Sequence, residues 1–507
     1  MTNLLGLDIG TTGVRCLAVD EKGKLLAEAS DTYAISSPHP GWSEQRPEDW
    51  WETTCRVIAE VSAGVGSEIR GIGLTGQMHG AVFLDNNDTV IRPAILWNDQ
   101  RTAAQCETIT ERVGARRLTE IAGNPALTGF QAPKILWLRD EEPDAYQRVA
   151  SVLLPKDYIR LRLTGERATD ASDASGTLLL DLRERTWSRE ILDALEIPVG
   201  WLPGVFEGPE RTGQVRKDIA SELGLHHQLP VAAGGGDNAA AAVGNGIVRE
   251  GLASCSIGTS GVLFAHSDAL APDPSGRLHA FCHAVPERYH LMGVTLAAGG
   301  ALRWWRDLVG RPSYDELSEL ASQAPPGAEG LLFLPYLTGE RTPHLDPRAR
   351  GAFFGLTSRH QLSHLTRAVM EGVAFSLRDS LEIMTGLGTT PAEIRATGGG
   401  ARSPFWRQLL ADVFGRPIVQ TMVDEGPAYG AALLAGVTAG VFENIEEACA
   451  RVSLRPDACE PSMVQVRQYD DYYAAYRELY PATRSAMHVL SQLEKRSIPS
   501  NEPRARP

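Results

Sequence analysis

Gly6-Leu7-Asp8-Ile9-Gly10-Thr11-Thr12-Gly13 is a glycine- and threonine-rich turn between two strand-like runs. Apolar residues from Leu4 onward lead into the turn, and an alternating run, Val14–Val19, follows it. A second turn then leads into Leu25–Thr32, which also has a strand-like pattern. This arrangement predicts a β-hairpin that is continued by a third strand.

The same pattern recurs in the second half of the chain. Ala253–Ile257 leads into Gly258-Thr-Ser-Gly261, and Val262–Ala265 follows. Gly10 and Gly258 are 248 residues apart, which is close to half of the 507 residues. The alternative is that a Gly-Thr turn recurs by chance. We predict two similar α/β halves, residues 1–245 and 246–485, followed by a C-terminal tail, residues 486–507.

Composition and charge narrow the class of protein. With 43% hydrophobic and 22% charged residues, the chain has the composition of a globular protein. The net charge of -14 disfavours nucleic acid as a partner, because neutralising phosphates requires a basic surface. The seven cysteines form no CxxC pair, which indicates reduced thiols and no zinc site. With neither a signal-peptide pattern nor an apolar run of ~18 residues, we expect a cytoplasmic protein without a membrane partner.

Glycine turns also end three other strand-like runs, Ile69–Gly76, Pro230–Gly236 and Ile394–Gly400. The last two precede helical patterns, and a helix N-terminus after a glycine turn favours anion binding. The two Gly-Thr hairpins are stronger phosphate candidates, because glycine permits close backbone approach and threonine hydroxyls donate hydrogen bonds. We predict that both hairpins hold nucleotide phosphates and that Arg15 adds a positive charge.

A different nucleotide motif is matched only superficially. Gly71-Ile-Gly-Leu-Thr-Gly76 satisfies the dinucleotide pattern GxGxxG, which requires a helix at its end. The segment after it, Ala81–Asp85, has the pattern of a strand instead. We therefore interpret these glycines as sheet residues and not as a cofactor loop.

Two aspartates are the candidate catalytic carboxylates. Asp8 ends the first strand, where it would hold a magnesium ion through water or, alternatively, cap the turn. Asp237 follows the three glycines Gly234–Gly236 and begins a helical pattern, so it is also a candidate N-cap. The glycines clear side chains from the space around the carboxylate, and a general base that contacts a substrate hydroxyl requires such space.

Polar and aromatic residues cluster twice in the first half of the chain. Gln77-Met78-His79 and Trp97-Asn-Asp-Gln-Arg101 each follow a strand-like run. A lone histidine is usually structural. Two such clusters together indicate a polyol pocket, in which rings and bidentate polar groups recognise hydroxyls.

Together these residues resemble the FGGY family of carbohydrate kinases, most closely its branch that acts on D-xylulose, over roughly Leu4 to Tyr480. The segments that carry the resemblance are Gly6–Gly13, Gly76-Gln-Met-His-Gly80, Arg92–Asp99, Leu154-Pro-Lys-Asp-Tyr158, Gly234–Ala239, Gly258-Thr-Ser-Gly261, Leu334–His344, Gly351–Glu371 and Gly398–Ser403. The resemblance implies two ribonuclease-H-like α/β domains of the actin, Hsp70 and hexokinase superfamily, which flank a catalytic cleft.

The resemblance also implies an activity, namely transfer of a phosphoryl group from ATP to D-xylulose with Mg2+ present. It implies that Asp237 is the catalytic base and that Asp8 lies near the metal and the transferred phosphoryl group. The residues it assigns to the sugar are Gln77, Met78, His79, Trp97 and Asn238. The residues it assigns to the nucleotide are Thr11, Thr12, Arg15, Gly258, Thr259, Gly299, Gly399 and Gly400.

One departure from the family pattern weakens the sugar assignment. Gln131 stands where the family usually has Thr, Ser or Pro, and it either reshapes the pocket or forms part of its wall. A kinase for D-ribulose or gluconate is therefore the alternative, followed by a non-catalytic nucleotide-gated sugar-binding protein. Dimers occur in the family, but the residues indicate no interface, so a homodimer stays open.

Overall fold

The structure, a computed structural model, describes residues 2–65, 68–423 and 426–497. Its strands are β1 (Asn3–Ile9), β2 (Gly13–Asp20), β3 (Leu25–Thr32), β4 (Glu44–Gln45), β5 (Ile69–Gly76), β6 (Val82–Leu84), β7 (Ala94–Ile95), β8 (Ser151–Leu153), β9 (Ala168–Asp170), β10 (Leu180–Asp181), β11 (Thr186–Trp187), β12 (Gly204–Phe206), β13 (Arg211–Gln214), β14 (Pro230–Ala232), β15 (Gly235–Gly236), β16 (Leu252–Ile257), β17 (Gly261–Ser267), β18 (His279–Cys282), β19 (Tyr289–Thr295), β20 (Leu332–Leu334), β21 (Ala352–Phe354), β22 (Glu393–Thr397) and β23 (Ile418–Val419). Its α-helices are α1 (Pro47–Val65), α2 (Ala103–Val113), α3 (Ala115–Ala122), α4 (Gln131–Glu141), α5 (Pro143–Tyr146), α6 (Pro155–Thr164), α7 (Ala171–Ser175), α8 (Arg189–Leu195), α9 (Lys217–Leu223), α10 (Asp237–Gly244), α11 (Gly299–Leu308), α12 (Tyr314–Ser322), α13 (Leu362–Gly386), α14 (Pro404–Phe414), α15 (Gly426–Thr438), α16 (Ile445–Cys449) and α17 (Met463–Ser497).

Two mixed sheets organise the chain, and they share one strand order. The first sheet runs β13-β14-β5-β1-β2-β3, with β15 also paired to β5. The second runs β18-β19-β17-β16-β22-β23. In each, a hairpin and a third antiparallel strand adjoin two parallel strands. This shared topology confirms the two predicted hairpins and the internal duplication.

The segments around the predicted glycine turns form the elements expected of them. The run that matches GxGxxG is strand β5, and β6 follows it with no intervening helix. Helix α10 begins at Asp237, and helix α14 covers the predicted Pro404–Phe414. Local sequence therefore determined these elements, because apolar alternation and glycine positions agree with the final packing.

A helix from late in the chain completes the first sheet. Helix α15 packs on β1 and β5 and also against α10. Glycine makes this approach possible, since a Cβ atom at Gly6 would overlap the carbonyl oxygen of Ala428, and one at Gly73 would overlap that of Ala431. The sequence did not indicate this contact. It explains why β5 is rich in glycine. The predicted domain boundary at residue 245 stays a prediction.

The C-terminal region is a long helix, as its charged, tyrosine-rich sequence past about Gln465 indicates. Helix α17 continues to Ser497 and includes residues 486–497, the first part of the segment that we predict to be a tail. Tyr469, Tyr473, Tyr476 and Tyr480 bury their rings against the core of the second half, which anchors the helix. Residues 498–507 of the predicted tail lie outside the described residues. In the described ranges, every helix is too short or too polar to cross a membrane.

Candidate active site

Strands β1, β5 and β15 of the first sheet end side by side. Gly76, the last residue of β5, pairs with Ile9 of β1 on one side and with Gly236 of β15 on the other. The three strands are parallel, so their carboxyl ends lie at one edge, where α/β proteins typically bind ligands. In sequence, Asp8 precedes Ile9, Gln77 follows Gly76 and Asp237 follows Gly236. The sheet therefore brings both predicted carboxylates and the Gln-Met-His segment to one place.

Asp237 begins helix α10 but does not cap it. Gly236 is the N-cap residue, and the Asp237 Oδ1 atom accepts hydrogen bonds from the backbone N–H (2.7 Å) and the Nδ2 atom (2.9 Å) of Asn238. Burial raises the pKa of Asp237 to about 6, and the two bonds from Asn238 act in the opposite direction. At neutral pH the carboxylate is thus largely ionised, and its pKa lies close to the operating pH, as general-base catalysis requires.

The glycines before Asp237 have separate structural reasons. Gly234 has a φ of 82°, and a Cβ atom there would overlap the carbonyl oxygen of Leu74. A Cβ atom at Gly236 would lie 3.0 Å from the Cγ and Sδ atoms of Met78. Gly236 therefore lets the Met78 side chain lie directly against the turn that carries Asp237.

Asp8 supplies a second carboxylate close to Asp237. Its Oδ1 atom is buried and accepts no hydrogen bond from any described residue. The pKa of Asp8 is raised to about 7, mainly by burial and also by the nearby Asp237, while Arg15 acts in the opposite direction. An unsatisfied buried carboxylate oxygen beside a second carboxylate fits a cation. Among the described residues there is no cluster of three metal-ligating side chains, which is compatible with Mg2+, since Mg2+ is usually held by one or two carboxylates and substrate phosphates.

His79 presents one ring nitrogen to the space beside this edge. Its Nδ1 atom lies 2.6 Å from the carbonyl oxygen of Gly176, and since a carbonyl only accepts, Nδ1 carries the hydrogen. Burial lowers the pKa of His79 to about 3, so the ring is neutral and Nε2 is an acceptor. The ring of Phe130 packs edge-on against it at 4.9 Å.

Two buried side chains fix the segment around His79. The Lys134 Nζ atom donates to the carbonyl oxygen of His79 at 3.0 Å. The Gln131 Nε2 atom donates to the carbonyl oxygens of Gly80 (2.8 Å) and Leu153 (3.2 Å). Gln131 is only 1% exposed, so its side chain supports this segment from within the fold.

A chain of hydrogen bonds joins the Gln-Met-His segment to the first Gly-Thr turn. The Gln77 amide donates to Gln45 Oε1 at 3.1 Å, and the Gln45 amide donates to the carbonyl oxygen of Thr11 at 2.7 Å. The indole N–H of Trp97 donates to Thr11 Oγ1 at 3.0 Å. Gln77 is buried, whereas Trp97 is 44% exposed. Trp97 therefore combines a direct contact to the first Gly-Thr hairpin with an exposed indole ring.

A separate cavity of about 440 Å³ lies in the second half of the chain, and we call it the glycine-lined cavity. Its walls include the predicted nucleotide residues Gly258, Thr259, Gly299, Gly399 and Gly400. A Cβ atom at Gly299 would lie 2.5 Å from the carbonyl oxygen of Gly258, so glycine lets the second Gly-Thr turn touch the start of helix α11. The N–H groups at that helix start favour an anion. Thr11 and Thr12 of the first turn and Arg15 of strand β2 do not line this cavity.

Comparison with known proteins shows that both halves of the chain match one protein family. Residues 3–244 match the N-terminal domain of the FGGY family of carbohydrate kinases, and residues 253–439 match its C-terminal domain. The chain belongs to the FGGY family of carbohydrate kinases. Its two-domain α/β fold is that of the family, as expected from the sequence.

Relatives of this FGGY kinase cover nearly its whole length. A xylulose kinase of Escherichia coli K12 is 43% identical over 483 residues, which is 94% of this chain and 99% of that protein. A xylulose kinase of Lactococcus lactis is 43% identical over 97% of this chain and 99% of its own length. The crystal structure of a xyloylose kinase from Brucella ovis superposes with a TM-score of 0.91 at 42% identity, covering 96% of this chain and 100% of that one.

Several residues around the FGGY site were not predicted from the sequence. Tyr314, Asp315 and Ser318 of helix α12 line the glycine-lined cavity, and no motif indicated them. Arg402 and Ser403 also line it, and they do fall within the motif segment Gly398–Ser403. Gln45 holds the first Gly-Thr turn through the carbonyl oxygen of Thr11, and Lys134 holds the Gln-Met-His segment through that of His79. Such supports leave no signal in one sequence, because any long polar side chain would look the same.

Proposed function

We propose that this kinase transfers the γ-phosphoryl group of ATP to the 5-hydroxyl of D-xylulose, giving D-xylulose 5-phosphate and ADP. The observation that carries the proposal is the Asp237 carboxylate. Asn238 occupies its Oδ1 atom, and Oδ2 has no donor among the described residues. Oδ2 is therefore the atom that accepts the proton of the sugar hydroxyl. The xylulose kinases that match the chain end to end support the choice of sugar.

Phosphoryl transfer requires alignment and charge stabilisation more than covalent help from the protein. Asp237 orients the attacking hydroxyl and removes its proton as the new P–O bond forms. Because burial raises the pKa of Asp237 to about 6, the carboxylate is ionised at neutral pH but still accepts a proton readily.

The sugar pocket uses the side chains that surround this carboxylate. Met78 supplies an apolar floor against Gly236, and His79 offers Nε2 as a hydrogen-bond acceptor. The exposed indole face of Trp97 packs against the C–H face of the sugar. Asn238 orients Asp237 and completes the pocket at the start of helix α10.

The nucleotide occupies the glycine-lined cavity in this proposal. The second Gly-Thr turn and the start of helix α11 approach its phosphates, while Thr11, Thr12 and Arg15 of the first turn face them from the other half. Asp8, with its unsatisfied Oδ1 atom, would hold Mg2+. That ion supplies positive charge for the phosphate oxygens.

ATP must be protected from water when no sugar is bound. Trp97 touches both the sugar pocket and, through Thr11 Oγ1, the phosphate hairpin. A sugar bound at the indole would contact the side chain that is hydrogen-bonded to the hairpin. Since the hairpin is then positioned only when sugar is bound, we expect ATP hydrolysis without sugar to be weak.

The test is magnesium-dependent ADP release from ATP in separate reactions with D-xylulose, D-ribulose, L-ribulose, gluconate, glycerol and no sugar. A clear preference for D-xylulose supports the proposal. A preference for another polyol would keep Asp237 as the base but reject the sugar assignment. No turnover with any acceptor would favour a binding protein that lacks catalysis.

Location and assembly complete the proposal. We place the enzyme in the cytoplasm, because its phosphoryl donor is ATP, and a homodimer stays open as its assembly. Cell fractionation and light scattering of the purified chain test these two points.

A further inference from the structure

The second half of the chain contains another cavity, of about 570 Å³, with walls from helix α13, helix α17 and the loop at residues 343–344. We call it the tyrosine cavity and define it by Tyr336, His344, Asp379, Tyr473, Tyr476 and Arg477. It shares no lining residue with the glycine-lined cavity. Its volume is in the range of small-molecule sites in proteins.

Aromatic hydroxyls and rings form the floor of this cavity. The hydroxyl of Tyr336 lies 3.0 Å from His344 Nε2 and 3.0 Å from the hydroxyl of Tyr476. The His344 ring stacks on the ring of Tyr480 at 3.7 Å, and this ring also lines the cavity. The floor thus offers flat apolar faces next to hydroxyl groups whose orientation is already fixed.

Asp379 is an incompletely satisfied carboxylate in the same wall. It is 6% exposed, and its Oδ1 atom accepts a hydrogen bond from the hydroxyl of Tyr473 at 2.7 Å. Its Oδ2 atom has no hydrogen-bond donor among the described residues, and no described cation forms an ion pair with it. Oδ2 is not among the fully buried unpaired atoms, so it is reached from the cavity that Asp379 lines, and its remaining acceptor capacity is open to whatever occupies that cavity. An occupant with a donor group would satisfy it.

The charges around the cavity select the kind of occupant. Arg277 and Arg477 line it together with the acidic Asp379 and Glu382. Opposite charges are present in equal number, so the cavity favours neither a strong anion such as a phosphate ester nor a cation. Donors, acceptors and aromatic faces in one cavity instead match a molecule with several hydroxyls on an apolar carbon frame.

We propose that the tyrosine cavity binds a neutral polyhydroxylated small molecule, a sugar or a polyol, at a site separate from the active site. A hydroxyl of the ligand donates to Asp379 Oδ2, and others pair with the guanidinium of Arg477 and the hydroxyl of Tyr336. The C–H face of the ligand packs on the ring of Tyr480. The proposal does not depend on which sugar the kinase phosphorylates, because none of these groups belongs to the catalytic edge.

Gly386 permits a direct test, because it lines the cavity and a Cβ atom there meets no other atom within 4 Å. In Gly386→Phe the Cβ atom displaces nothing, and the new ring is attached at the cavity wall, where it competes with an occupant for space. Gly200 is also free of atoms within 4 Å of a Cβ and is far from the cavity in sequence, so Gly200→Phe is the matched control. Thermal unfolding first confirms that both variants are folded.

The measurement is equilibrium dialysis of the full chain, without nucleotide, against radiolabelled xylitol, D-xylulose and D-glucitol at millimolar concentrations. We expect the wild type and Gly200→Phe to bind one more equivalent of at least one probe than Gly386→Phe does. Equal stoichiometry in the wild type and Gly386→Phe for all three probes would overturn the proposal. No turnover is measured, so this result is independent of the kinase assay.

A second variant covers the case in which Gly386→Phe does not fold. Asp379→Asn keeps the size of the side chain and removes its charge. We expect it to weaken the extra binding equivalent by about tenfold, because a hydrogen bond to a charged acceptor is lost. Unchanged affinity of that equivalent in Asp379→Asn would contradict the assigned contact.

Discussion

Asn238 donates two hydrogen bonds to the Oδ1 atom of Asp237, one from its backbone N–H at 2.7 Å and one from its side-chain Nδ2 atom at 2.9 Å. Both bonds stabilise the ionised carboxylate, and they oppose the effect of burial on the pKa of Asp237. One oxygen is thus fixed by the helix start, and the other is left for a substrate hydroxyl. Orientation and basicity of the proposed base are determined by the same neighbour.

Removal of the Asp237 carboxylate tests the proposed base. We expect Asp237→Ala and Asp237→Asn to lower kcat by about 10²- to 10⁴-fold, the usual contribution of general-base catalysis. Sugar affinity, measured by equilibrium binding, should change much less than kcat. Asp144, an exposed aspartate in the first turn of helix α5, gives the control variant Asp144→Asn. Near-normal turnover of Asp237→Ala would show that another group takes the proton.

The pH dependence of the reaction should report the same carboxylate. A base must be ionised to act, so kcat/KM for the sugar should fall as the pH drops through about 6, the raised pKa of Asp237. Asn238→Ala removes the Nδ2 donor that lowers this pKa, so its acid limb should lie at higher pH than that of the wild type. Protonation of Asp8, whose pKa is raised to about 7, acts in the same direction, and the profile is therefore recorded at saturating ATP and Mg2+. An acid limb near pH 4 in both proteins would contradict the assignment.

Two glycines of one turn should give opposite phenotypes. Gly234→Ala forces a side chain into a φ of 82° and into overlap with a backbone carbonyl, so we expect the free energy of unfolding to fall by about 1–3 kcal/mol. Gly236→Ala meets only the flexible Met78 side chain, so it should raise the KM for the sugar while stability is nearly unchanged. Thermal unfolding and steady-state kinetics distinguish the two effects, with Gly200→Ala as the control. Loss of stability in Gly236→Ala alone would refute this interpretation.

The contact between Trp97 and Thr11 should couple sugar binding to ATP protection. Trp97→Phe keeps an aromatic face but loses the 3.0 Å hydrogen bond, and Thr11→Val loses the same bond from the other side. We expect either change to reduce the ratio of ADP release with D-xylulose to that without sugar. The double variant should add little to either single change, since the two residues share one interaction. Additive effects would mean that the residues act independently.

The sequence predicted those features that depend on residues close together in the chain. Both hairpins, strand β5 and the start of helix α10 followed from glycine positions and apolar alternation, so the placement of Asp8 and Asp237 followed as well. The role of Gln131 was left open because its partners are carbonyl oxygens of Gly80 and Leu153, which are distant in the chain. Tyr314 and Asp315 reach the glycine-lined cavity only through packing of helix α12, which no short motif encodes.

The position of helix α15 late in the chain affects how the first sheet folds during synthesis. Its residues Ala428 and Leu433 pack with Leu4 and Leu17 in one apolar cluster, although the whole second sheet is synthesised between them. The face of the first sheet that α15 covers therefore stays exposed until most of the remaining chain has been synthesised. An exposed apolar sheet face during synthesis is prone to aggregation. A fragment that ends at residue 245 would lack α15 and keep this face open, so we expect it to aggregate more readily than the full chain.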